Sequence, residues 1–420
     1  MTIWLVEPRD PLIVREGRPF GPEPGALATS LPFPFPSTMA GGARTRSALD
    51  EDGIFKYGRE DKKELDRLKE IRIRGPLLVQ LANEDDTIAK HEGEEAWLVP
   101  IPQDVQLFES GSKETVILRQ LLPLDPPTRA QTDFGQRECE KHLCVVGIEP
   151  AKVPPGKRKP YDHKLHYWYW KYFQNWLIDP TQLVKRGAVS LSSLGHEDLI
   201  REYRMHVSMD SDKEIGKEGL LFGTSGLEFT SPGAGKERLH DARRLALVID
   251  VEDEAMAPQA GVAGFGGERR LVTWRQSNAH FPPCPPALKQ AIKNDRHCRL
   301  ILLSPACFTQ GYSPAWLRTT HAQACGVKVG LRAVAVPRPQ VVSGWDLALG
   351  APKPSRRLAP AGTVFFLSVQ GSDDALTTWV EQTWMQCISD DKQDRRDGFG
   401  LAVLGTWSGQ PMVMQERDER

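Results

Sequence analysis

Two stretches decide the fold class: Met1-Thr2-Ile3-Trp4-Leu5-Val6-Glu7-Pro8, and Pro34-Phe35-Pro36-Ser37-Thr38-Met39-Ala40-Gly41-Gly42-Ala43-Arg44-Thr45-Arg46-Ser47-Ala48-Leu49. The first is a short run of β-forming side chains stopped by Pro8, and it predicts a strand. Residues 2 to 14 continue as short apolar stretches around Glu7-Pro8-Arg9-Asp10-Pro11. Arg15-Glu16-Gly17-Arg18-Pro19-Phe20 then opens a Pro-rich loop that runs to Pro36. Ser37 and Thr38 are good N-cap residues, so the small side chains that follow predict a helix. Gly41 and Gly42 lower helix propensity, a cost that makes sense where the face packs closely on a sheet or another backbone. The first unit is therefore strand, long loop, helix.

Working outward, residues 59 to 74 alternate charge signs around Leu65, Leu68 and Ile71 and predict a solvated helix. Residues 73–81, 96–101 and 116–122 are short β-like runs, and residues 166–178 form an aromatic-rich helix candidate. Strands are expected again at 245–251, 271–274, 299–303, 327–336, 363–369 and 401–407, with a helix at 376–388 before the last. Interleaving of this kind predicts an α+β chain, with a ferredoxin-like (RRM-like) βαββαβ plan used twice. The expected division is an N-terminal domain over 1–240 with insertions and a C-terminal domain over 241–420. A chain of 420 residues exceeds the usual size of one domain, and 36 Gly and 33 Pro predict glycine-rich loops and large loop insertions.

The N-terminus has no basic n-region and meets Pro8 after a short apolar run, unlike a signal peptide. No apolar run approaches the ~20 residues needed to span a bilayer, so the expectation is a cytoplasmic protein without membrane contact. The seven cysteines are odd in number and scattered, which predicts reduced thiols. Cys139-Glu-Lys-His142-Leu-Cys144 lacks a matching second ligand pair, and no structural metal is expected. The formal net charge of −1 means that any nucleic-acid affinity must come from local clusters and backbone donors.

Four glycine-rich or basic elements supply such clusters. Arg395-Arg396-Asp397-Gly398-Phe399-Gly400-Leu401 fails as a dinucleotide fingerprint, because a strand follows it and the spacing is wrong. It also fails as an RRM stacking strand, because Leu401 and Leu404 stand where aromatics are needed. What remains is either a bare loop with N–H groups open to phosphates or a tight turn entering a strand. Gly261-Val-Ala-Gly264-Phe265-Gly266-Gly267-Glu268-Arg269-Arg270 repeats the theme with two forked cations. Pro352-Lys353-Pro354-Ser355-Arg356-Arg357 is a third stretch. Pro154-Pro155-Gly156-Lys157-Arg158-Lys159-Pro160 is the strongest positive run, near Tyr161, Tyr167 and Trp168. Any one of these reads as a solvated loop; together they fit a groove for a single strand, built of charge and aromatic platforms.

Catalytic templates mostly fail. Gly233-Ala-Gly235-Lys236 ends in Glu237 where a P-loop needs Ser or Thr, and no HExxH, CxxC or GxSxG occurs. Asp250-Val-Glu252-Asp253-Glu254 places its acids on alternating faces of a strand end, which favours a solvated edge over a Mg²⁺ site. His206 is the best candidate for general acid–base work on RNA, but it has no evident partner and a structural role is the simpler reading.

These residues resemble a known family, the RAMP-superfamily subunit that holds the 5′ end of the guide RNA in type III-B CRISPR effector (Cmr-type) complexes. The most specific part is Glu7-Pro-Arg-Asp10-Pro11-Leu-Ile-Val-Arg15-Glu-Gly17-Arg18-Pro19-Phe20 with Phe33-Pro-Phe-Pro36-Ser37-Thr38-Met-Ala40-Gly41. It is joined by His206-Val-Ser-Met-Asp210 leading into Glu218-Gly219-Leu-Leu-Phe222, by Gly266-Gly267-Glu268-Arg269-Arg270, and by Gly344-Trp345-Asp346 before Lys353-Pro-Ser-Arg356-Arg357. The closing loop is an abbreviated Gly398-x-Gly400-x4-Gly405, and residues 50 to 200 match weakly. The resemblance implies two ferredoxin-like domains facing each other, with the crRNA 5′ handle between them on the glycine-rich loops. The RNA-binding residues would then be Arg15, Gly17, Arg18, Phe20, Ser37, Thr38, Arg44, Lys157, Arg158, Gly266, Gly267, Arg269, Arg270, Lys353, Arg356, Arg357, Gly398 and Gly400. It also implies a hetero-oligomeric complex in antiviral defence, docking to the large polymerase-like subunit and to a backbone RAMP subunit. No cofactor and no catalytic residue are implied. The rival reading is a metal-independent repeat-RNA endoribonuclease of the same superfamily, with His206 or a tyrosine as general base. A third is an RNA-free scaffold.

Overall fold

The computed structural model describes residues 2–15, 27–83, 85–125, 143–148, 160–161, 165–210, 212–213, 215–231, 242–252, 256–317, 325–343, 345–346, 351–352 and 354–413. The first strand, β1 (Thr2–Pro8), lies deep inside a nine-stranded sheet. Its alternation sends Trp4 and Val6 to one face and Ile3 and Leu5 to the other, and all four are buried. A strand covered on both faces reads as a continuous apolar run, which is why Ile3 to Val6 was legible.

Antiparallel to β1 on one side runs β7 (Arg243–Val251), from Thr2↔Val251 to Val6↔Leu247. On the other side runs β9 (Arg270–Ser277), edged by β8 (Gly261–Phe265). Beyond β7 follow β2 (Ile73–Leu81), β3 (Trp97–Pro100), β4 (Leu165–Tyr169) and the short strand Gly195–Glu197. The first helix, α1 (Pro36–Ser47), covers the Trp4 face through Met39, Ala40 and Ala43. A Cβ on Gly42 would stand 2.4 Å from the ring of Phe265, so the glycine is what lets α1 approach this closely. A second helix, α2 (Lys62–Glu70), buries only Leu68, as its charge pattern predicts.

The second sheet has five strands. Its central strand β10 (His297–Leu302) is antiparallel to β12 (Val364–Gln370) and to β13 (Leu401–Thr406), and β11 (Lys328–Ala335) lies beyond β12. Between β12 and β13 runs α5 (Asp373–Thr383), whose first turn is closed by Ser372 Oγ accepting from Ala375 N, with Asp373 and Asp374 near its positive end. This sheet shares one continuous core with the Ile3 face of the first sheet. Also in that core lie α3 (Trp170–Ile178) and, through Leu288 and Ile292, α4 (Pro286–Asp295).

Several expectations are corrected. Residues 166–178 are not one helix: residues up to Tyr169 complete β4, which pairs antiparallel with β3 from Tyr167↔Pro100 to Tyr169↔Leu98, and α3 begins at Trp170. The helix expected at 376–388 ends at Thr383, because Met385 takes φ +53° and Gln386–Cys387 joins β13. The N-cap of α1 is Phe35, with Pro36 in the first turn, so Ser37 and Thr38 lie inside the helix and do not cap it. The change from one sheet to the other falls between Ser277 and His297, so a line at residues 240/241 would cut β7 and β9 from the sheet they complete.

A buried charge pair joins the two parts. Arg299 on β10 pairs with Asp104, both fully buried. The guanidinium also donates to Thr406 O (2.8 Å) and Trp176 O (2.6 Å), while Trp176 Nε1 donates to Asp104 Oδ1 (2.9 Å). Arg74 on β2 pairs with Asp250 and donates to Met385 O (2.9 Å), a second tie across the joint.

Candidate nucleic-acid interface

The two longest strands among the described residues form a hairpin, β5 (Ile200–Asp210) with β6 (Ile215–Glu228), paired from Ile200↔Glu228 to Asp210↔Ile215. Tyr203, Met205, Val207 and Met209 alternate along one exposed face, with Leu221 opposite Val207. The other face carries His206, stacked on Phe222 with ring centroids 5.1 Å apart, its Nε2 2.9 Å from Thr224 Oγ1.

At the root of this hairpin three loops are stitched together by backbone and side-chain hydrogen bonds. Leu12 pairs with Leu227, Ser30 Oγ donates to Ser225 O (2.5 Å), and Arg201 donates to Ser30 O (2.7 Å). Arg15 stands opposite Ser30 in an isolated bridge. On the far side Gly267 N donates to Ile13 O (2.7 Å). Gly266 has φ +71°, and a Cβ there would stand 2.5 Å from that same oxygen, so only glycine permits the approach. Glu268 and Arg269 follow with φ +55° and +49°, an uncommon pair of left-handed side-chain-bearing residues. The turn leaves Arg269 exposed, whereas Arg270 is held by Glu268 at 2.8 Å.

The assembly continues towards the second sheet. Leu31 N donates to Val14 O (2.8 Å), and Leu31 packs both on the Trp4-side core and on a small cluster of Phe35, Val342, Leu358 and Phe399. The start of α1, with Ser37 and Thr38, thus sits between the Arg15 and Gly266–Arg270 loops and the strand pair that carries Arg356 and Arg357. Arg357 is exposed. Arg356 turns inward, paired with Asp394 and lying 5.2 Å over the Phe399 ring.

Some expected contact residues are committed inside the protein. Arg44 pairs with Asp397 (2.6 Å) and donates to Ile71 O (2.8 Å), so it clamps α1 to the closing loop. That loop is not the open concavity its glycines suggested: residues 398–400 are buried. Gly398 has φ +97° with the Gly75 carbonyl 2.5 Å from a would-be Cβ, and Gly400 has φ +83° with Ser389 N at 2.9 Å. Neighbouring backbone fills the space that a ligand would need. Gly17, Arg18, Phe20, Lys157, Arg158 and Lys353 lie outside the described residues.

Among the described residues no group of three or more His, Cys, Asp or Glu is placed to hold a metal, and no helix is long and apolar enough to cross a membrane. Burial pushes the Cys284 thiol up to about 11, and burial with Asp394 beside it does the same to Cys307, so both stay protonated at neutral pH. Tyr161, Tyr167, Tyr169 and Tyr172 are likewise pushed up by burial, which removes them as general bases near neutrality. His206 bonds Thr224 and, among the described residues, no carboxylate.

Sequence reasoning missed Arg201, the hairpin and the Asp104–Arg299 tie. The hairpin had a readable signal in Tyr203, Met205, Val207 and Met209 alternating with Glu202, Arg204, His206 and Ser208. The other two had none, since their partners are far away in the chain.

This is an α+β protein with two main sheets, in which the segments bearing Arg15, Arg269 and Arg356–Arg357 are linked through neighbouring backbone and packing contacts. The profile of the family described as "CRISPR-associated protein (Cas_Cmr3)" matches residues 4–407, and the chain belongs to that family. The resemblance to the RAMP-type subunit of type III-B CRISPR effectors is thereby borne out. No curated protein matches the chain. Among solved structures the chain is similar to one in the cryo-EM structure of the Type III-B Cmr-beta bound to cognate target RNA and AMPPnP, state 1. Identity there is 15%, covering 87% of this chain and 86% of that one, with a TM-score of 0.45. It is also similar to a chain of the Csm3-Csm4 subcomplex in the type III-A CRISPR-Cas interference complex, with 11% identity over 97% of this chain and 99% of that one and a TM-score of 0.34.

Proposed function

We propose that this chain is a non-catalytic subunit of a type III-B CRISPR effector complex that holds the 5′ handle of the crRNA and bridges the large polymerase-like subunit to the backbone subunits. The observation that carries the reading is that the segments bearing Arg269, Arg15, the α1 start and Arg357, far apart in sequence, are joined in succession by backbone bonds and by the small cluster around Phe35. Cations and backbone donors on neighbouring loops suit a sugar–phosphate strand.

Both sheets read as ferredoxin-like. The order β9–β1–β7–β2 follows the 4-1-3-2 plan with residues 82–242 inserted between its second and third strands, and β13–β10–β12–β11 repeats it with α5 as a crossover. In the first unit no α-helix stands between β7 and β9 among the described residues, and β8 takes that place.

The test is the salt dependence of guide binding. With a net charge of −1, the lone chain should bind the guide weakly and the assembled complex more tightly. Arg269→Ala and Arg357→Ala should each lower the log–log salt slope by about one in the complex. Unchanged slopes in both would take these segments out of the RNA path. Site-specific cutting of repeat RNA by the purified chain in EDTA, abolished by His206→Ala, would make the endoribonuclease reading correct.

A further inference from the structure

The nine-stranded sheet ends on two unlike edges. At one, Gly195 and His196 of the short strand Gly195–Glu197 are buried. At the other lies β8, which among the described residues pairs with β9 alone. Its register is unbroken from Gly261↔Trp274 to Phe265↔Arg270, and Gly261, Val262 and Gly264 are exposed. Proteins blunt such an edge with a lysine, a proline, a bulge or a covering element. Gly261-Val262-Ala263-Gly264-Phe265 has no charge and no proline, so a row of backbone groups stands open beside two bare glycines.

The edge is also held ready. Arg46, in the last turn of α1, donates to Gln259 O (3.0 Å) and Ala260 O (2.8 Å), and Gln259 Nε2 donates to Leu49 O (2.9 Å). The chain entering β8 is thus fixed before anything binds, which lowers the ordering cost of docking. Two kinds of side chain flank it. Val262, 59% exposed, lies on the same face as Gly264 and its cross-strand partner Leu271, itself 46% exposed. Just past Leu49 come the exposed acids Glu51 and Asp52, then Ile54 and Phe55, exposed on a turn that Asp50 closes by accepting from Ile54 N (2.8 Å).

These features choose the occupant. A sugar–phosphate strand brings acceptors where the edge carbonyls need donors, and it would meet two carboxylates. A second copy paired antiparallel about Ala263 would set Gly264 against Val262 and Gly261 against Phe265, leaving few side-chain contacts between the two strands. An extended polypeptide with large apolar side chains matches the backbone row and covers Val262 and Leu271 across the bare Gly264.

We propose that β8 is a docking edge at which an extended segment of another protein subunit of the effector complex adds a further strand to the sheet. Its apolar side chains lie over Val262 and Leu271, and a Lys or Arg stands beside Glu51 and Asp52. The proposal rests on the chain's place in such a complex, given above, and is independent of where the guide lies.

The experiment compares backbone amide exchange across residues 261–265 in the free chain and in the assembled complex. At least one amide of β8 should slow by about ten-fold or more on assembly, as a newly bonded edge requires. In competition with the parent chain, Val262→Asp should lower incorporation into the complex by about ten-fold, with its thermal midpoint unchanged, while Val262→Ile should incorporate normally. Should Val262→Asp melt early, Leu271→Gln takes its place. Equal exchange in the free and assembled states, or full incorporation of the folded polar variant, overturns the docking edge while leaving the chain a subunit. Protection that vanishes on ribonuclease treatment while the protein subunits stay together would assign the edge to RNA. Protection that appears in the free chain as its concentration rises would assign it to a second copy. Either result overturns the proposal. A chain that enters no complex defeats it together with the reading it rests on.

Discussion

Asp104→Ala should lower the stability of the fold by about 3–5 kcal/mol, the usual cost of stripping one partner from a buried ion pair. Arg299 and Asp104 have no exposed side-chain surface, so removing the carboxylate leaves a guanidinium facing a cavity with no water to replace it. The loss also orphans Trp176 Nε1, which donates to the same carboxylate. Replacing both members, as Asp104→Leu with Arg299→Met, should recover the part of the loss due to the stranded guanidinium, because two apolar side chains need no partner, while Trp176 Nε1 stays unpaired. The check is the urea midpoint followed by tryptophan fluorescence. A single-variant loss under about 1 kcal/mol, the scale of an exposed pair, would mean that the joint admits water.

The strands were legible because most are buried on both faces and therefore read as apolar runs between turn residues. Helix α1 was legible for a different reason: its glycines are unfavourable in an isolated helix and make sense only against a ring such as Phe265. The place where the sheets part was not legible. After an insertion spanning residues 82–242 the chain returns to β1 with β7 and β9, and pairings of that separation leave no local mark. Part of the candidate site was hidden in the same way. An arginine that points outward, such as Arg357, and one committed inward look alike in sequence. Arg44 is spent on Asp397, 353 residues on, and Arg356 on Asp394, 38 residues on. The glycines at 266–267 and 398–400 share composition but differ in place, the first at an exposed turn beside Ile13 and the second inside the joint.

That difference gives Gly398→Ala a definite expected outcome. The position has φ +97°, which costs an L-residue roughly 1–2 kcal/mol, and a Cβ would press on the carbonyls of Gly75 and Ile73, adding an overpacking cost of about 1–3 kcal/mol. The backbone of β2 cannot move aside without disturbing its pairing with β7. The combined loss, about 2–5 kcal/mol, should appear as an earlier thermal midpoint. Gly400→Ala should follow in the same direction, its Cβ meeting Ser389 N at 2.9 Å. At temperatures where these variants remain folded, guide affinity and its salt slope should equal those of the parent, because no ligand reaches the filled side of either glycine. Arg357→Ala should do the opposite, leaving the midpoint in place and lowering the salt slope by about one. Measuring midpoint and slope for all three variants separates the two roles. A Gly398→Ala variant that melts normally but loses guide affinity would show the closing loop to be ligand surface after all, opened by a movement of β2 away from it.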